Sequence, residues 1–204
     1  MRKKASWLVF FMVFLIAPSL GASAVKITPV QPVKPFVVEN IGTASVPAEL
    51  EISAALGTQT MTNLETQYDL RSTAAIGSHY ARLVVYKDPR DLGLAGSLLD
   101  LVDFKPELVT MLSNMEKNMV AKQMEEHGLR LVEWLPVSKL TIQKHNAIQM
   151  GARFTLSEKM PLPMFAAVAV YPQNGKLTGL ALLCPDSDQA YWQPIFTQLI
   201  TTMK

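Results

Sequence analysis

Asn174-Gly175 lies between two apolar runs, Met164 to Tyr171 and Lys176 to Cys184, and a two-residue turn of that type ties such runs into one antiparallel hairpin. The dipeptide suits the left-handed conformations a tight hairpin turn demands. A chain committed to this hairpin must build an antiparallel sheet and cover its apolar face.

The neighbouring segments extend the pattern. Leu129, Leu131 and Leu135 alternate with Arg130, Val132 and Trp134 until Pro136. Lys139 to Lys144 and Ala147 to Leu156 read as a second hairpin, turning at His145-Asn146. Upstream, Ser78 to Lys87 is a strand whose Tyr80, Arg82, Val84 and Tyr86 share one face. Short strands are expected at Phe36 to Val38, Leu50 to Ile52 and Tyr68 to Arg71, with Gly57 to Asn63 as polar turn material.

Two helices supply the cover. Pro106 suits a first helical turn, Glu107 favours the positive end of the dipole, and Gly128 stands where a helix stops. Between them Leu108, Met111, Leu112, Met115 and Met119 fall on one stripe. A shorter helix is expected over Leu92 to Val102, weakened by Gly93 and Gly96. Asp186 and Gln189 have the spacing of a capping box. They precede a terminal helix with Tyr191, Trp192, Ile195, Phe196, Leu199, Ile200 and Met203 on its apolar face. The expected fold is α+β: an antiparallel sheet covered by a long central helix and a C-terminal helix, an α/β/α sandwich.

The first residues concern location. Arg2, Lys3 and Lys4 precede an apolar run from Trp7 to Ala17, and Ala22-Ser23-Ala24 offers small residues at a cleavage spacing. Residues 1–24 therefore read as a signal peptide cut after Ala24, in preference to a retained anchor, since the run is short of the roughly 20 residues of a membrane helix. No Cys follows the run, which argues against a lipid anchor. Pro29, Pro32 and Pro35 recur in residues 25–35, which read as a Pro-rich tether, and residues 36–204 as a single domain.

The full chain has 19 Lys and Arg against 17 Asp and Glu. Three basic residues leave with the leader, so the remainder carries one net negative charge and has no electrostatic case for nucleic acid. Cys184, the only cysteine, sits in an apolar run and reads as a small buried hydrophobe.

Chemical signatures are thin. His79, His127 and His145 lack metal-site spacing; His127 fits a helix end and His145 a turn. Met111, Met115 and Met119 have the softness for Cu(I), but they share their stripe with leucines, which favours core packing. Asp186-Ser187-Asp188 lacks the remaining ligands of a calcium loop. Gly93 to Gly96 has no Gly-Lys-Ser/Thr behind it, and Glu125 and Glu126 diverge by about 100° on a helix. No catalytic, cofactor-binding or metal-binding residue is assigned. Tyr191 and Trp192 are the one candidate interaction surface, with one ring anchoring the core and the other left for a partner.

The order of elements in the second half, with Asn146-Ala147, Asn174-Gly175, Leu182-Leu183-Cys184 and Tyr191-Trp192-Gln193-Pro194-Ile195 opening the last helix, resembles the PsbP-like α/β/α sandwich superfamily. The resemblance covers about Phe36 to Met203. That group takes in photosystem accessory proteins, Ran-binding Mog-type proteins and small exported bacterial proteins. It has no catalytic motif to carry over, and its members mostly bind other proteins. It implies an exported, non-enzymatic accessory or binding protein of the cell envelope, acting through an unknown protein partner and without a cofactor. The competing expectation is a small-molecule or metal-binding domain with a pocket between sheet and helices.

Overall fold

The computed structural model describes residues 32–55, 65–72, 79–87, 113–114, 117–118, 120–122, 124–126, 128–155 and 162–204. Nine strands and a C-terminal helix frame it: β1 (Val33–Val38), β2 (Gly42–Pro47), β3 (Leu50–Ala54), β4 (Glu65–Ser72), β5 (His79–Lys87), β6 (Arg130–Ile142), β7 (His145–Thr155), β8 (Pro163–Gln173), β9 (Lys176–Pro185) and α-helix Gln189–Thr201. Strands β3 to β9 form one antiparallel sheet in the order β3-β4-β5-β9-β8-β7-β6, and β1 and β2 pair separately. The described residues between 114 and 126 that carry the middle of the central helix are helical.

Period-two alternation divides the sheet into two cores. Leu83, Val85, Leu180, Leu182, Phe165, Ala167 and Ala169 face the C-terminal helix and the β1–β2 hairpin, which contributes Phe36, Val38, Ala44 and Val46. Tyr86, Val168, Val170, Met150 and Phe154 face the other way, onto Val120 and Met124 of the central helix. One helix on each face of the sheet makes the expected α+β sandwich. The predicted stripe of Met111, Met115 and Met119, the helix over Leu92 to Val102, the turn Gly57 to Asn63 and His127 lie outside the described residues, as does the whole leader.

Four local expectations are corrected. First, Pro136 does not end a strand. β6 continues through it to Ile142, with register shifts between Leu131 and Glu133 and between Leu135 and Ser138. Each shift inserts one residue and flips the alternation. Leu131 and Trp134 therefore share the central-helix face, while Leu135 turns to the other core. Pro136 occupies the second bulge of an edge strand, where a missing N–H costs the ladder nothing.

Second, the β6–β7 turn is Gln143-Lys144, with φ of 50° and 70°, and His145 already pairs with Ile142. Neither residue favours the left-handed region. The turn is held from outside: Gln143 Nε2 donates to the Ile41 carbonyl at 2.9 Å, and Gln173 Nε2 donates to Gln143 Oε1 at 2.8 Å. Asn174 and Gly175, at φ of 53° and 73°, form the hairpin turn expected of them.

Third, the extended segment assigned to the tether runs into the fold, since β1 takes in Val33, Lys34 and Pro35. β2, whose polar–apolar alternation is confined to the short run Thr43-Ala44-Ser45-Val46, is an addition to the expected strands. Thr43 exchanges both backbone bonds with Lys204, at 3.1 and 3.0 Å, and the Ser45 N–H donates to Thr202 Oγ1 at 2.9 Å. Those groups point away from β1, so by antiparallel alternation Pro35, the partner of Ser45, turns its N–H-less nitrogen outward along the free edge.

Fourth, the capping box between Asp186 and Gln189 is not formed. Asp186–Asp188 is a 3-10 turn and Asp188 is the N-cap of the helix, with no side-chain capping bond. The carboxylates at this turn are engaged elsewhere.

Candidate functional site

The root of the C-terminal helix gathers the densest set of polar and aromatic side chains described. β9 delivers the chain to Asp186–Asp188, and Pro185 directs it into the turn. On one side stands Arg153 of β7. Its Nε donates to Gln189 Oε1 at 2.9 Å and its Nη2 to the same oxygen at 2.5 Å. Its Nε also lies 3.0 Å from Asp186 Oδ1, and its Nη1 donates to Glu133 Oε2 of β6 at 2.9 Å. Gln189 Nε2 continues the chain of bonds to Gln193 Oε1 at 3.1 Å. Arg153 thus ties β6, β7, the turn and the helix together through one planar fork.

On the other side stands His79, the first residue of β5. Its Nδ1 is 3.3 Å from Asp188 Oδ2, and its ring stacks on Tyr191 with centroids 4.2 Å apart and planes 15° off parallel. Tyr191 meets Trp192 edge to face at 5.1 Å. Burial pushes the Tyr191 phenol above its ordinary range; the Ser72 hydroxyl against it opposes the shift and the Glu49 carboxylate adds to it.

The two candidate aromatics therefore divide their work. Trp192 is fully buried and belongs to the core beneath the helix; it is no part of any surface. Tyr191 is half-buried, its ring sandwiched between His79 and Trp192. Trp192 Nε1 and Tyr171 Oη are both buried in this same core without a hydrogen-bond partner among the described residues.

His79 and His145 begin β5 and β7, which run in opposite directions, so they stand at opposite ends of the sheet. Among the described residues no group of three or more His, Cys, Asp or Glu is placed to hold a metal ion. Cys184 is buried, and burial, reinforced by Asp188 and Asp186, pushes its thiol up to about 12. Such a thiol carries almost no thiolate at neutral pH.

A second polar group lies on the opposite face of the sheet. Asp69 Oδ1 accepts from Tyr80 Oη at 2.6 Å and from Arg82 Nε and Nη2 at 3.0 Å each. The Tyr80 hydroxyl and then Arg82 hold the Asp69 carboxyl below the usual carboxylate range. Sequence reasoning missed the parts played by His79, Arg153 and Gln189. Arg153 is 36 positions from Gln189, and only the sheet register brings them together.

The fold is similar to that of a PsbP protein. The cyanobacterial PsbP (CyanoP) of Synechocystis superposes with a TM-score of 0.52 at 11% identity, over 91% of this chain and 97% of that one. The Ran-binding protein Mog1p of Saccharomyces cerevisiae gives 0.47 at 12% identity, over 85% and 95%. LpqN of Mycobacterium tuberculosis, involved in cell envelope biogenesis, gives 0.36 at 13%, over 83% and 87%. No protein-family model and no curated protein sequence matches the chain. Among the described residues no helix is long and apolar enough to cross a membrane.

Proposed function

We propose, from the PsbP-like fold as premise, that this is an exported, non-enzymatic accessory protein of the cell envelope that works by binding another protein. The observation that carries the reading is the root of the C-terminal helix. Tyr191, His79 and Arg153 stand there partly exposed and already held in place by their neighbours. A surface whose aromatic and guanidinium groups are fixed beforehand loses little side-chain entropy on association. Tyr and Arg are also the residue types that dominate binding energy at interfaces. The leader of residues 1–24, cut after Ala24, would deliver the domain to the periplasm or beyond, with residues 25–32 as the spacer to it.

The test is capture from the cell envelope with the mature protein as bait, comparing wild type with Tyr191→Ala. A partner retained by wild type and lost by the variant supports the reading. Equal recovery by both places the interface elsewhere, and metal analysis of the same sample checks the competing expectation. That second reading, a small-molecule site between sheet and helix, draws on two buried polar atoms without a partner among the described residues, Trp192 Nε1 and Tyr171 Oη. A polar ligand satisfying either one would appear as extra mass under native mass spectrometry.

A further inference from the structure

The end of the sheet opposite the helix root, where β5 finishes and β9 begins, is a knot of turns. The Ile41 carbonyl, in the β1–β2 turn, accepts from Gln143 Nε2 at 2.9 Å and from Gln173 Nε2 at 3.0 Å. Gln173 also donates to Gln143 Oε1 at 2.8 Å and accepts from the buried Thr178 hydroxyl at 3.4 Å. Four lysines are seated round this knot. Lys87 donates to the Asn40 carbonyl, Lys144 follows Gln143 in its turn, Lys176 pairs with Gln173 across the hairpin, and Lys204 is fastened to Thr43 by both backbone bonds. Lys144, Lys176 and Lys204 are exposed, and none of the three has an ion pair among the described residues. Burial, and then the Lys176 charge, hold the Lys87 ammonium below its ordinary range, so these two cations crowd each other. Against the four stand Glu39 in the first turn, beside Tyr68, and Glu65 at the start of β4, which leaves an excess of positive charge. We propose that this end of the sheet is an adsorption face for an anionic membrane, its lysines meeting the phosphates of lipid headgroups.

Side-chain chemistry selects the occupant. The three turns present no arginine and no aromatic ring, the types that protein interfaces enrich, and lysine is depleted at such interfaces. A lysine ammonium is a point charge that gathers phosphate without the planar match a guanidinium requires, which suits a fluid lipid surface. The amide knot fixes the turns beforehand, so the cations are presented together at little further ordering cost. Adsorption by this end would turn Tyr191, His79 and Arg153 away from the membrane, toward a partner. The inference stands whether or not a partner binds there.

Co-sedimentation of the purified protein with vesicles of phosphatidylcholine, with and without about one-third phosphatidylglycerol, at about 0.1 M salt tests this. Wild type should bind the anionic vesicles alone, and about 0.5 M salt should release it. Each lysine near such a surface contributes a factor of about five, so Lys144→Gln combined with Lys176→Gln should weaken binding roughly 25-fold. Arg130→Gln removes an exposed cation at the far end of β6 and should leave binding within about twofold. All three side chains are exposed, and matching thermal melts check that the variants fold. Absence of binding to the anionic vesicles, equal binding to the neutral ones, or undiminished binding by the double variant overturns the membrane face. Release by millimolar inorganic phosphate at matched ionic strength overturns it in favour of a discrete phosphate site. An envelope protein captured by wild type and lost by the double variant, without vesicle binding, overturns it in favour of an acidic protein partner.

Discussion

Replacing the two adjacent aromatics separately should have sharply different consequences, because one is core and the other is half surface. Trp192 is fully buried among Phe196, Phe165 and Leu182. Truncating a buried Trp to Ala costs about 3–5 kcal/mol, combining lost transfer energy with the cavity left behind. Domains of 150–250 residues shift Tm by about 2–4 °C per kcal/mol, so Trp192→Ala should lower Tm by roughly 6–20 °C. Trp192→Phe should cost much less, about 1.5 kcal/mol or under, because it also removes an indole N–H buried without a partner among the described residues, a liability of about 1–3 kcal/mol. Tyr191→Ala loses a stacked and an edge-to-face contact, each worth about 0.5–1.5 kcal/mol, together with part of its buried area. It should stay near 2 kcal/mol. Urea unfolding followed by circular dichroism, with the transition slope checked for constancy, measures all three. A Trp192→Ala cost below about 1 kcal/mol would refute the assignment of the helix as an integral cover of the sheet.

Gly42→Ala should destabilise by about 1–3 kcal/mol in the same assay, since its Cβ would stand 2.2 Å from the Lys204 carbonyl oxygen and 2.6 Å from Gln143 Nε2. Pro136→Ala should change stability by less than about 1 kcal/mol, because the bulge places no ladder bond at that nitrogen. Cys184 should resist a thiol reagent in the native state at pH 8 and react fully once the chain is unfolded in denaturant. Asp69, whose carboxyl is held low by Tyr80 and Arg82, contributes stability above the ordinary carboxylate range that is lost as pH falls through its lowered value. The pair lies at the surface and is partly exposed to solvent, so Asp69→Asn should flatten the acid limb of a stability–pH curve only slightly.

The strands with the plainest patterns were legible in the sequence. β5 follows alternation, which also assigns its two faces, while β8 and β9 are near-continuous apolar runs joined by an Asn-Gly turn, and all of these are local signals. β6 was misread for a physical reason. A bulge breaks period two, so Leu131 and Leu135 looked like one face when they are two, and Pro136 looked like a terminus. The turn at Gln143-Lys144 carried no propensity signal because its support comes from Ile41 and Gln173, over a hundred residues before it and thirty after. Tyr191 and Trp192 were visible as a helix-borne aromatic pair. That Trp192 is core and Tyr191 rests on His79 depended on where β5 begins. The contacts of Arg153 had no sequence signature, since three other elements supply them.

The strand order has a consequence for how the chain reaches this state. β3-β4-β5 and β6-β7-β8-β9 are each a run of neighbours in sequence, and the two runs meet at a single seam, where Arg82 pairs with Leu183 and Lys87 with Thr178. Every other ladder in the sheet closes a shorter loop. The seam spans about half the chain and must await the last strand, so it bears most of the loop-closure entropy of the sheet. Each run can pair within itself first, on the timescale of hairpins, and the rate of folding should then follow the joining of two preformed halves. Substitutions at the seam, such as at Val84 or Ala181, should slow folding more than equally costly ones inside either run, and a chevron measurement would read the difference directly.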